Sequence, residues 1–209
     1  MLTGRDITVL GGGIAGLTAA HGLARQGYPV HLVERDAVLG GNARQLRATW
    51  RGESVTDHLA NLIQAVEADD HITVHTGAAV SGVDGFVGNF QTTLQAADGQ
   101  SETIDHGVAI LATGAEESKP RAYLYGEHPA VCTQLELDER LAAETPDLDG
   151  IRNAVFIQCV GSRNDERPYC SKVCCSHSLR NAVTLKTRHP EMNVYVLYRD
   201  IRTYGRGQE

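Results

Sequence analysis

Four of the chain's five cysteines, Cys159, Cys170, Cys174 and Cys175, fall within IQCVGSRNDERPYCSKVCC, residues 157–175. Thiols this dense are able to ligate a metal, exchange disulfides or fill a core. Inert filling suits scattered cysteines, and four in one loop argue against it. A redox dithiol ordinarily shows C-x-x-C, whereas three residues separate Cys170 from Cys174. Structural zinc uses ligand pairs two to four apart that close one small tetrahedron, and the neighbours Cys174 and Cys175 do not readily face a single ion. An iron–sulfur cubane takes one thiolate at each of four separate corners, which adjacent residues reach by splaying apart. The spacing C-x10-C-x3-C-C is not the ferredoxin run, so spacing alone leaves the cubane beside the other readings. Cys132 lies outside the segment and is expected to be an unligated, buried thiol.

These thiols need a scaffold. NAVFIQCV (153–160) reads as a strand, and CSHSLRNAVTLKTRH (175–189) as a helix with Leu179, Ala182, Val183 and Lys186 on one stripe. Pro190 stops the helix, and NVYVLYR (193–199) is the returning strand. Residues 153–209 therefore form a partial second βαβ unit, preceded by a linker over 116–152 with a short helix near Leu135–Ala143. A nicotinamide site would need a glycine triplet after Gln158, and none follows, so no NAD(P)H binding is expected in this unit. Arg199 and Arg202 are read as solvated surface arginines, and His177 as a helix-surface residue rather than a ligand.

The first 115 residues follow the same plan with a different turn. ITVL (7–10) is a strand, and the helix after it carries Ile14, Leu17, Ala20 and Leu23 inward. Gly27 and Pro29 end that helix, and VHLVE (30–34) is the next strand. Between strand and helix, Gly11, Gly13 and Gly16 meet G-x-G-x-x-G: a tight turn, room for a pyrophosphate, and close helix–strand packing. Ala15 lies in the helix N-terminus that offers N–H groups to phosphate. Glu34, followed by Arg35, is placed to accept from a ribose diol. Two later motifs favour FAD over NAD. LGGN supplies Gly41 and Asn42 to a second backbone approach, and VAILATGA is a buried strand that turns beside the cofactor at Ala112, Thr113 and Gly114. Together the three motifs resemble the FAD domain of flavoproteins with two dinucleotide-binding domains, such as thioredoxin and glutathione reductases. The fold expected over 1–115 is an α/β, Rossmann-like FAD-binding domain. Residues 53–68 form a core helix with Leu59, Leu62, Ile63 and Val66 inward. ITVHTGAAV (72–80) reads as one strand whose end, Val80, passes the adenine in such proteins. A small antiparallel meander follows, broken at Asp84-Gly85, Gly88-Asn89 and Asp98-Gly99.

Composition narrows the function. A formal net charge of −7 argues against nucleic-acid or anionic-membrane surfaces, and 42% hydrophobic residues suffice for a real core. No apolar run approaches the ~18–20 residues of a membrane helix. MLTGRDITVL is a lead into a strand rather than a signal peptide, so a cytoplasmic location is expected.

FIQCVGSRNDERPYCSKVCCSHSLRNAVTLK, with LYRDIRTYG downstream and LGGNARQL and GFVGNF upstream, resembles the A subunit of heterodisulfide reductase from Ile7 to Gly205. That family comprises electron-transfer proteins containing flavin and iron–sulfur clusters. The resemblance implies FAD and a [4Fe–4S] cluster held by Cys159, Cys170, Cys174 and Cys175. It implies that Arg163, Arg167 and Lys172 offset the cluster's charge, and that other complex subunits are the partners. A homodimer is left open, as is electron bifurcation at the flavin. No catalytic acid or base is evident among the scattered histidines. Family members are much longer and add ferredoxin-type domains. The two-domain plan also returns to the FAD domain after the inserted unit, so this chain is expected to be a fragment or a split gene product with an incomplete isoalloxazine end. Two other readings stand beside this one: a pyridine-nucleotide–disulfide reductase relative with a redox cysteine pair, and a zinc-stabilised binding fragment.

Overall fold

A computed structural model describes residues 6–49, 51–143, 148 and 150–204. The lead-in 1–5, Trp50, linker residues 144–147 and 149, and the terminal 205–209 lie outside the described residues. The chain forms two compact units, one of residues 1–48 and 54–115, the other of residues 49–53 and 116–209.

In the first unit, β1 (Ile7–Leu10), β2 (Val30–Val33), β3 (Ile72–His75) and β7 (Val108–Leu111) form a parallel sheet in the order β3-β2-β1-β7. Side chains alternate across it. Val9, Val30 and Leu32 join Leu17 and Ala20 of α1 (Ile14–Ala24) and Leu59 and Val66 of α2 (Val55–Glu67) in one core. Val33 and Leu10 face the opposite way, toward Ala78, Leu94 and Ile104 of an antiparallel meander of β4 (Ala78–Phe86), β5 (Asn89–Ala96) and β6 (Ser101–His106). Ser54 caps α2 by accepting from the Asp57 N–H at 3.1 Å.

Several expectations change here. The stretch 72–80 is two strands in two sheets, because Gly77 at φ +64° turns the chain between β3 and β4. Asp84 and Gly85 continue β4 opposite Gln91 and Phe90 rather than breaking it. Ile14 points outward at 40% exposure. Strand β7, expected buried, leaves Leu111 at 76% exposure; it is the edge of the sheet, with β1 as its strand neighbour.

In the second unit, β8 (Asn153–Ile157) and β9 (Asn193–Leu197) pair in parallel, joined through α4 (Cys174–Arg188). α3 (Gln134–Ala142), within the segment read as linker, supplies Leu137 and Leu141 to a core with Phe156, Ala182, Leu185 and Met192. Its start is a reciprocal cap: Thr133 Oγ1 accepts from Glu136 N at 3.2 Å, and Glu136 Oε2 accepts from Thr133 N at 2.8 Å. The inward face of α4 carries Cys175, Ser178, Asn181, Ala182 and Leu185, while Val183 is 66% exposed. The helix is thus rotated away from its expected apolar stripe.

Among the described residues, no helix is long and apolar enough to cross a membrane.

Candidate functional site

The three glycine-bearing motifs meet at the carboxyl ends of β1, β2 and β7. Gly11 sits at φ +110°, where a Cβ would strike the Ala112 carbonyl, and a Cβ on Gly16 would strike the carbonyl of Gly11. Both glycines therefore serve packing. Gly13 differs: its φ of −76° suits any residue, and a Cβ there would meet nothing within 4 Å. The open space at Gly13 lies at the start of α1, whose N-terminus has no side-chain cap and no acidic residue in its first turn. Its N–H groups remain available to an anion.

The loop after β2 closes on this turn. Gly40 N donates to Gly12 O at 2.8 Å, and Gly40 and Gly13 form an isolated parallel bridge. Gly41 packs so tightly that a Cβ would lie 3.2 Å from Gly13 Cα. Asn42 Nδ2 donates to Ala115 O at 2.7 Å, tying in the loop of Ala112, Thr113 and Gly114. Glu34 is buried; its Oε2 accepts from Gly12 N at 2.6 Å and its Oε1 from Asp36 N at 2.9 Å. Sequence reasoning passes over Gly12, because it falls at an unspecified position of the fingerprint. In the fold its N–H orients Glu34, and a Cβ would lie 2.6 Å from Leu39 Cδ2. Ala15 is exposed on the first turn of α1. Arg35, next to Glu34, is exposed beside Asp36, and Val80 is 39% exposed on β4 next to a register shift.

The fit to a dinucleotide is good on these observations. Open space at Gly13, uncapped helix N–H groups and a buried carboxylate with lone pairs to spare share one rim.

In the second unit each of the four segment thiols receives a donor. Arg163 Nη1 donates to Cys159 Sγ at 3.8 Å, Lys172 N to Cys170 Sγ at 3.4 Å and Ser171 Oγ to Cys174 Sγ at 3.4 Å. The backbone N–H of Arg202 serves Cys175. Burial raises the Cys175 thiol above its ordinary range, and the nearby Cys174 and Cys159 add to the rise. None of the five cysteines is in a disulfide. Cys159, Arg163 and Lys172 all adopt the left-handed region, at φ 61°, 56° and 62°. For non-glycine residues such a conformation costs on the order of 1–3 kcal/mol each, a concentration of strain typical of functional loops.

Around the thiols, Arg163 and Arg202 both pair with Asp200, and Arg199 Nη1 donates to Arg163 O at 2.5 Å. The two arginines expected to be solvated are thus part of this network. Asp200 lies below the usual carboxylate range through its bonds from Arg202 and Arg163. Arg167 instead donates to Ser118 Oγ at 2.8 Å. His177, expected on the surface, donates to the buried Asp138 at 2.7 Å. Cys132 is half-buried against the second core.

Among the described residues no three Cys, His, Asp or Glu side chains are arranged to hold a metal ion. The donor set itself, four thiols each met by a polar hydrogen, suits thiolate ligation, since hydrogen bonds to sulfur stabilise the deprotonated form.

Residues 9–74 match the NAD(P)-binding Rossmann-like domain family. Over 98% of its length the chain is 30% identical to the A subunit of the H(2)/formate:CoB-CoM heterodisulfide,ferredoxin reductase of Methanococcus maripaludis, of which it covers 45%. It is 29% identical, over the same shares of each chain, to the first iron-sulfur A subunit of the CoB–CoM heterodisulfide reductase of Methanopyrus kandleri. The match to the Methanococcus relative runs over 299 positions, more than the 209 residues present here, so that relative carries internal residues with no counterpart in this chain. Among solved structures, L-proline dehydrogenase from P. horikoshii superposes with a TM-score of 0.54 over 92% of this chain and 35% of its own, at 17% identity. That likeness is one of fold. Along nearly its whole length the chain is thus similar to heterodisulfide reductase A subunits, and it spans just under half the length of these relatives.

Proposed function

We propose that the chain is the flavin- and iron–sulfur-carrying part of a heterodisulfide reductase-type electron-transfer protein. Bound FAD would supply paired-electron chemistry, and a bound [4Fe–4S] cluster would supply single-electron chemistry. The observation that carries this reading is the combination, in one chain, of the open space at Gly13 with four thiols that each accept a hydrogen bond.

The residues divide the work. Gly13 leaves room for a pyrophosphate, and the uncapped start of α1, with Ala15, directs N–H groups at it. Glu34, steadied by the Gly12 and Asp36 N–H groups, accepts from ribose hydroxyls. Gly41, Asn42, Ala112, Thr113 and Gly114 line the dinucleotide with backbone, while Arg35 and Val80 flank the adenosine end. Cys159, Cys170, Cys174 and Cys175 are the cluster ligands. The cation Arg163 at Cys159 offsets negative charge and raises the potential. The partners are the other members of such a complex.

The test is anoxic purification followed by flavin, iron and sulfide assay and a dithionite titration read by absorption and EPR. About four irons and four sulfides per chain, with a cluster signal that Cys174→Ser removes, support the reading. Iron-free protein with a reducible cysteine pair would instead make it a disulfide reductase relative. Stoichiometric zinc without flavin would make it a zinc-stabilised binding module.

A further inference from the structure

Cys174 and Cys175 are the first two residues of α4, and the usual means of fixing a helix start are missing there. The N-cap residue, Val173, makes no side-chain cap bond, and the first turn holds no acidic residue. What holds this end is a carboxylate from another helix. Asp138 of α3 is 1% exposed; it accepts from His177 Nε2 at 2.7 Å and from Arg180 Nη1 at 2.9 and 3.0 Å. One turn further, Asn181 Nδ2 donates to Gln134 Oε1 at 3.0 Å. All these ties run from Gln134 and Asp138 of α3 to the first half of α4.

Their effect is to set the rotation of α4. The apolar residues Leu179, Ala182 and Val183 would by themselves turn a different face inward, offset by roughly 80° at 3.6 residues per turn. In the structure Val183 is exposed, while the polar Ser178 and Asn181 are buried. That rotation also buries Cys175, at 3% exposure, and places Cys174 one turn before His177. Well-packed apolar residues in place of the whole Asp138–His177–Arg180 set would often stabilise the unit as well, because buried charges carry a large desolvation cost, whereas removing Asp138 alone strands the buried Arg180. What the carboxylate adds is a defined azimuth.

We propose that Asp138 is a positioning residue that, through His177 and Arg180, presents the Cys174–Cys175 pair to its ligand. The inference rests on those two thiols being cluster ligands, and its test separates the two ideas. The full chain is compared with Asp138→Asn, Asp138→Glu and Leu141→Ala, the last truncating the same core without touching the carboxylate.

In metal-free protein, native-state alkylation by iodoacetamide is followed residue by residue, with Cys132 as internal standard. Asp138→Asn raises the Cys175-to-Cys132 labelling ratio at least several-fold, whereas Leu141→Ala leaves it near wild type. After anoxic reconstitution, Asp138→Asn holds iron about 10–100-fold more weakly against a chelator, as with other residues that orient metal ligands. If Asp138→Asn does not fold, Asp138→Glu, which keeps the charge but displaces α4 by a methylene, is read on the same scale and shows the same direction. Unchanged labelling and iron retention, or a Leu141→Ala ratio that rises equally, overturns the proposal. Wild-type protein that takes up no iron sinks the cluster reading, and the labelling ratio still decides the role of Asp138.

Discussion

Gly13 and Gly16 belong to one fingerprint, yet substitution by alanine should separate binding from folding. At Gly13 the φ of −76° suits alanine and a Cβ meets nothing within 4 Å. Reduced freedom of the unfolded chain contributes about 0.4–1 kcal/mol in favour of Gly13→Ala, and the poorer N-cap offsets a similar amount. The melting temperature of unliganded protein should therefore move by no more than about 4 °C. At Gly16 the added Cβ is driven onto the Gly11 carbonyl. Forcing atoms into a packed contact costs about 1–3 kcal/mol, a fall of at least about 4 °C in a unit of this size. Binding follows the reverse order in origin. The methyl of Gly13→Ala fills the space assigned to the pyrophosphate, so titrations with FAD and with ADP, by calorimetry or fluorescence quenching, should show affinity lost by at least about tenfold, or 1.4 kcal/mol. A Gly13→Ala protein that binds like wild type, or that is destabilised as much as Gly16→Ala, would refute the assignment of that space.

Glu34→Gln places an amide NH2 against one of two N–H donors, Gly12 or Asp36; thermal melts should show a loss of about 1–3 kcal/mol, with weaker nucleotide binding beside it. His31 and His106 lie below their ordinary value of 6.5, in both cases chiefly through burial. Between the depressed folded value and 6.5 the unfolded chain binds more protons, so this contribution is complete above 6.5 and is lost as pH falls through that window. Urea midpoints of the first unit should drop between about pH 7.5 and about pH 5.5, and a flat profile contradicts the assignment. Leu185→Ala, at a site 2% exposed, should cost about 2–5 kcal/mol in the second unit. Amide exchange should then accelerate in α3, α4, β8 and β9, with β1, β2 and β3 still protected.

The Rossmann-like unit was legible in the sequence because its parts are local. A glycine turn between a strand and a helix, an acid at the end of the next strand and a second glycine pair each describe what a few consecutive residues do with their own backbone. The thiol segment stood out for the same reason, as four thiols within seventeen consecutive residues. Tertiary structure alone decided how the pieces address one another. The Asn42–Ala115 bond joins two motifs far apart in sequence, and the Arg202 N–H that serves Cys175 comes from beyond β9. The exposure of Leu111 goes with the edge place of β7 in the sheet, a property of no single strand. The rotation of α4 is the sharpest case. Its apolar spacing favoured one face, and the buried charge of Asp138 on another helix selected a different one, because two strong hydrogen-bonding partners for an otherwise costly carboxylate outweigh the exposure of one valine.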